Sequence, residues 1–135
     1  MAQGCEIVRR GEASEGAQRL VYAAGVTSST TPTRSVCLTS AELPPGARSA
    51  CHLHRGIESA GFVVSGTVGC WWGERLEHSA VLGPGDYAYI PPDVPHAVGN
   101  AGDEPALIVV AHSSAHDQDG IELRPELDGL ISRGL

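Results

Sequence analysis

Apolar and polar residues trade places in short stretches along the whole chain, and each stretch is cut off by Gly, Pro or hydroxyl residues. A period of two bounded by such residues predicts β-strands rather than helices. Strands are expected at Leu20–Gly25, Ser35–Leu43, Ala50–His54, Gly61–Val64, Thr67–Trp72, Glu77–Leu82, Tyr87–Ile90 and Ala106–Ala111. Turns are expected at Pro44-Pro45-Gly46, Arg55-Gly56, Gly66, Gly73-Glu74 and Gly83-Pro84-Gly85-Asp86, with a loop over Ser28–Thr33. Residues 1–20 read as one short strand and a loop, and 113–120 as a polar loop. The segment from Gly120 reads as a strand at Ile121–Leu123 and a short helical tail. No sustained helical period appears, so the pattern predicts an all-β sandwich or barrel.

Composition narrows this picture. A chain of 135 residues suits one domain, spanning 1–135, around one core. With 41% apolar and 19% charged residues it is expected to fold rather than stay disordered. The formal charge of −7, with no basic cluster beyond Arg9-Arg10, argues against a nucleic-acid partner. There is no Lys, which excludes Schiff-base chemistry and a phosphate-loop lysine. The apolar run Ala106–Ala111 is too short to span a bilayer, and residues 1–10 show no secretory pattern. A cytoplasmic protein with no membrane partner is the expectation. Cys5, Cys37, Cys51 and Cys70 form no C-x-x-C pair and are expected as free thiols.

The chemistry concentrates in two glycine-bracketed stretches. The first runs Gly46-x5-His52-x-His54-x3-Glu58-x7-Gly66, and the second Gly85-x5-Pro91-x-Asp93-x2-His96-x3-Asn100. Side chains two apart on a strand share a face, so His52 and His54 can address one point, and alternation turns Cys51 away from it. Glu58 can reach the same side after a bend, and His96 follows a proline-rich turn in a second hairpin. Three imidazoles and a carboxylate make a site for one divalent transition metal: Fe, Mn, Ni, Cu or Zn. A closed tetrahedral structural zinc site is the plainer alternative. Phe62 and Trp72 share parity with Glu58 and, with Tyr89 and His112, are the candidate pocket residues. His78, His116, Arg19 and Arg34 read as surface residues, and Asn100 as the residue that fixes the turn after His96.

These stretches resemble the two motifs of the cupin superfamily, small jelly-roll β-barrels. The second matches position by position from Gly85 to Asn100 except at Asp93, where the family usually has Gly. The first matches at Gly46, His52, His54, Glu58 and Gly66, with the Glu one place earlier relative to Gly66 than is most common. The short spacer, residues 67–84, is similar to that of compact single-domain bacterial cupins. The resemblance implies a metal-binding barrel core over about 40–112, flanked by N-terminal strands and a C-terminal tail. It further implies a metalloenzyme acting on a small oxygenated substrate. The reaction would be oxidation of dioxygenase type, or Lewis-acid isomerase, cyclase or lyase chemistry, with Glu58 as ligand or general base. A non-catalytic cupin that binds or senses a small molecule is the alternative, and the resemblance implies a homodimer.

Overall fold

A computed structural model describes residues 4–131. Among these residues eleven strands are formed: β1 Ala13–Glu15, β2 Val21–Val26, β3 Cys37–Leu43, β4 His52–His54, β5 Ser59–Ser65, β6 Val68–Trp72, β7 His78–Leu82, β8 Tyr87–Ile90, β9 His96–Asn100, β10 Ala106–His112 and β11 Ile121–Leu123. They pair antiparallel into a six-stranded sheet ordered β1-β2-β3-β10-β5-β8 and a five-stranded sheet ordered β11-β4-β9-β6-β7. Chain-distant strands lie side by side in both, which is the jelly-roll arrangement. The helical tail expected from the sequence is a short 3₁₀ helix, Pro125–Leu130, and residues 132–135 of that expectation lie outside the described ones.

Alternation decides what each strand contributes. β3 buries Cys37, Thr39, Ala41 and Leu43 and exposes Leu38 and Glu42 between them. Facing residues Leu20, Tyr22, Leu43, Val63, Val68 and Ile108 close one end of the interior. On the outer face of the five-stranded sheet, Cys51, Trp71 and Ala97 are covered by Leu76, Leu127 and Ile131. Cys51, just before β4, therefore packs on the face opposite His52 and His54. Cys37, Cys51 and Cys70 are buried and Cys5 is exposed, all as free thiols.

β9 departs from the sequence expectation, which placed no strand between Ile90 and Ala106. Gly99 and Asn100 read as breakers, yet both are accommodated by tertiary contacts. A Cβ on Gly99 would come within 3.1 Å of the Ala47 carbonyl oxygen, so the missing side chain lets the neighbouring backbone approach. Asn100 donates through Nδ2 to the carbonyls of Leu43 (2.8 Å) and Glu104 (2.7 Å) and accepts from the Gly102 N–H at Oδ1. Replacing Asn100 with Ala strips three partners at once, and a loss of about 1–3 kcal/mol in urea unfolding is expected.

The turns of the two motifs are tied together. Asp93 adopts φ 66°, a left-handed conformation in which Asp replaces glycine at little cost. Its N–H donates to the His54 carbonyl (3.1 Å) and its carboxylate accepts from the Gly56 N–H (3.0 Å). At Gly66, φ 84°, a Cβ would lie 2.6 Å from Ala106 Cα, so only glycine fits where β5 turns into β6.

Candidate metal centre

β4 and β9 bring three imidazoles together. His52 and His96 are directly opposite one another in the antiparallel pairing, with ring centroids 4.4 Å apart. His54, two places along β4, lies 5.2 Å from His52 and 5.9 Å from His96 by ring centroid. One nitrogen from each of the three falls within 4.8 Å of the other two, and all three residues are buried.

The backbone settles which nitrogen each ring offers. His52 Nδ1 lies 2.8 Å from the Ala50 carbonyl oxygen, His96 Nδ1 3.0 Å from that of Val94, and His54 Nδ1 3.3 Å from that of Asp119. A carbonyl only accepts, so each Nδ1 carries the proton and each Nε2 keeps a lone pair. Burial pushes His52 down to about 3, helped by the neighbouring His96, and His96 down to about 4. Burial lowers His54 as well. At neutral pH these are uncharged rings, the form that ligates.

Glu58 does not join them. It precedes β5, its side chain is exposed, and its Oε1 accepts a hydrogen bond from the Tyr89 hydroxyl at 2.7 Å. The reason is parity. On β5 the odd positions Ser59 and Val63 are buried, whereas Ala60 and Val64 are exposed. The one-place offset of the Glu therefore turns it outward, and Ser59 takes the inward position. Ser59 Oγ lies 2.6 Å from Nδ1 of His112, a buried residue directly across from it on β10. The His112 ring sits 4.5 Å from that of His54, and burial pushes its pKa down to about 4. Sequence reasoning ranked His112 only as a pocket residue and passed over Ser59. Counting back from Gly66 instead of forward from His54 would have pointed to Ser59.

The imidazoles face a cavity of about 70 Å³, walled otherwise by apolar groups such as Val63, Cys70, Val98 and Ile108. Cys70, Ala88 and Ile90 also border a wider groove of about 420 Å³ between the edge strands β7 and β8. Of the pocket candidates, Phe62 lines the inner cavity with its ring 4.8 Å from Tyr87, and Trp72 and Tyr89 line the groove. His78 is exposed beside Trp72, and Arg19 is exposed and paired with Asp128.

Residues 39–112 match the family described as the cupin domain. This chain is a cupin. Part of it is also 35% identical over 72 residues to germin-like protein subfamily T member 3 of Arabidopsis thaliana, covering 52% of the cupin and 32% of that relative. The cupin thus corresponds to about a third of the relative's length. Among solved structures, an uncharacterized conserved protein with a double-stranded beta-helix domain from Klebsiella pneumoniae is similar, with a TM-score of 0.61 and 25% identity. That match covers 69% of the cupin and 73% of the Klebsiella chain. A Bacillus subtilis oxalate decarboxylase, described with Mn(II) centers, superposes with a TM-score of 0.64 at 19% identity. Here 76% of the cupin matches 28% of that chain, a likeness of fold.

Proposed function

We propose that this cupin holds one divalent transition metal ion on the Nε2 atoms of His52, His54 and His96 and acts with it on a small oxygenated organic molecule. One observation carries the reading: three buried, neutral imidazoles have their Nδ1 protons fixed on backbone carbonyls, and one ring nitrogen from each lies within 4.8 Å of the other two. A carbonyl that accepts from the far nitrogen of an imidazole orients it as a metal ligand and raises its basicity. Without a metal, desolvating three such rings would only cost free energy. Nitrogen donors without thiolate suit Mn, Fe, Ni, Cu or Zn.

When bound, such an ion supplies Lewis-acid or redox activation of an oxygen-bearing substrate. The protein's own contribution is to hold the three rings rigidly, to exclude bulk water from a narrow apolar cavity, and to admit the substrate through the groove between β7 and β8. Glu58 and Tyr89 stand hydrogen-bonded to each other, with Tyr89 on the groove wall. Small-molecule turnover, of oxidative or Lewis-acid type, is the reading these features support, and a homodimer in the cytoplasm is the setting we propose for it.

Elemental analysis of protein purified without added chelator is expected to give one transition metal per chain. Loss of metal in His52→Ala or His96→Ala protein would agree, and a metal content unaffected by either substitution would reject the reading. A Glu58→Gln protein is expected to keep its affinity for Co(II) within about twofold, since that side chain is exposed and engaged by Tyr89. A tenfold loss in a Co(II) titration would restore Glu58 as a ligand.

A further inference from the structure

His112 and Ser59 form a hydrogen-bonded polar pair in the cavity that the three-His reading leaves unused, and their hydrogen bond has a direction. The Ser59 hydroxyl has no other acceptor among the described residues, so it donates its proton to His112 Nδ1 across 2.6 Å. The reverse arrangement, with Nδ1–H donating to Oγ, would leave a buried hydroxyl proton without a partner. His112 Nδ1 is therefore an acceptor and its proton sits on Nε2. This is the opposite tautomer from His52, His54 and His96, whose Nδ1 atoms face carbonyl oxygens. Three rings offer lone pairs at Nε2, and the fourth, 4.5 Å from His54 and tilted 33° to it, offers an N–H.

The position matters as much as the tautomer. Ser59 stands on the inward face of β5, and the carboxylate one residue earlier is turned to solvent. Asp117, whose charge His112 also feels, is engaged with Gln118 Nε2 (2.9 Å) and His116 Nδ1 (3.5 Å) and belongs to no three-residue ligand group among the described residues. A dication held by three neutral imidazoles would keep its full charge of two in an apolar cavity. Charge balance must then come from what binds there.

We propose that His112, oriented by Ser59, is a hydrogen-bond donor to a negatively charged oxygen of the molecule bound beside the three-His cluster, so that the site selects small organic anions. This rests on the metal reading above. His112 is a substrate-holding residue and not a metal ligand, and Ser59 is the positioning residue that fixes its tautomer.

The test uses Co(II)-loaded protein and two probes read by the visible spectrum: acetohydroxamate, an anion with two oxygens, and 1-methylimidazole, a neutral ligand with none. His112→Phe is expected to weaken acetohydroxamate binding by about tenfold or more, the loss of one hydrogen bond to a charged group. Ser59→Ala, which keeps the ring but frees its tautomer, is expected to weaken it by about threefold or more. Both variants should bind Co(II) and 1-methylimidazole within about threefold of the parent protein. Equal acetohydroxamate affinity in the parent protein and Ser59→Ala would overturn the proposal even if His112→Phe failed to fold. A hundredfold loss of Co(II) affinity in His112→Phe protein that folds would also overturn it, by making His112 a ligand. Failure of the parent protein to take up Co(II) would bring down the three-His reading itself, and this inference with it.

Discussion

Replacing His96 with Ala is expected to lower the affinity for Co(II) by about 100-fold or more. Losing a group that merely orients a metal ligand costs 10- to 100-fold, so losing the ligand sets that range as a floor. His96 comes from β9, whereas His52 and His54 both come from β4. Its removal leaves two nitrogens from one strand and nothing opposite them. The substitution also deletes the ring 4.4 Å from His52, which helps depress that residue's pKa. With both rings neutral at pH 6 and above, the loss of affinity there reflects the missing nitrogen alone. A Co(II) titration at pH 7 measures the deficit, and an affinity within tenfold of the parent protein would remove His96 from the ligand set.

The second large effect is on acid stability. His52 is pushed down to about 3 and His96 and His112 to about 4, in each case mainly by burial, and His54 is lowered as well. Above the ordinary histidine pKa near 6.5 the folded and unfolded chains are both neutral at these positions, and their contribution to stability is intact. As pH falls below that value the unfolded chain takes up protons that the folded chain refuses, so stability declines with falling pH. The decline continues until the folded-state values near 4 and 3 are reached. Between pH 6.5 and 4.5 each of His52, His96 and His112 costs about 2 kcal/mol, so the metal-free protein is expected to lose on the order of 6 kcal/mol over this range. That is comparable with the whole stability of a small domain. Circular dichroism should show an unfolding transition in this window. Saturating Zn(II) is expected to move the midpoint to lower pH, because a ligand that binds only the folded state stabilises it. A metal-free protein that stays folded at pH 3.5 would contradict the burial of these rings.

Much of this architecture can be read from residue order because the physics involved is local. Alternation around His52 and His54 fixes a shared face without knowledge of the partner strand. The left-handed turns at Gly46, Gly66, Gly85 and Asp93 are announced by residues that tolerate positive φ. What escaped local reading depends on tertiary context. β9 carries Gly99 and Asn100, whose strand conformation is stabilised by contacts from Ala47, Leu43 and Glu104. The outward turn of Glu58 depends on where the alternation of β5 begins. That is set by its pairing with β10, in which Ser59 lies opposite His112. A shift of one residue exchanges the faces of a strand, so the expected carboxylate and the buried hydroxyl trade places. The role of His112 was invisible for the same reason: its partners lie 53 and 58 positions away in the chain.

The central claim is that three Nε2 lone pairs converge on one ion, and imidazole ¹⁵N NMR during a Zn(II) titration at pH 7 reads it residue by residue. The Nε2 resonances of His52, His54 and His96 are expected to shift together and to stop shifting at one equivalent, with all three Nδ1 atoms still protonated. Shifts confined to the outlying His78 and His116, or no saturation at one equivalent, would contradict it.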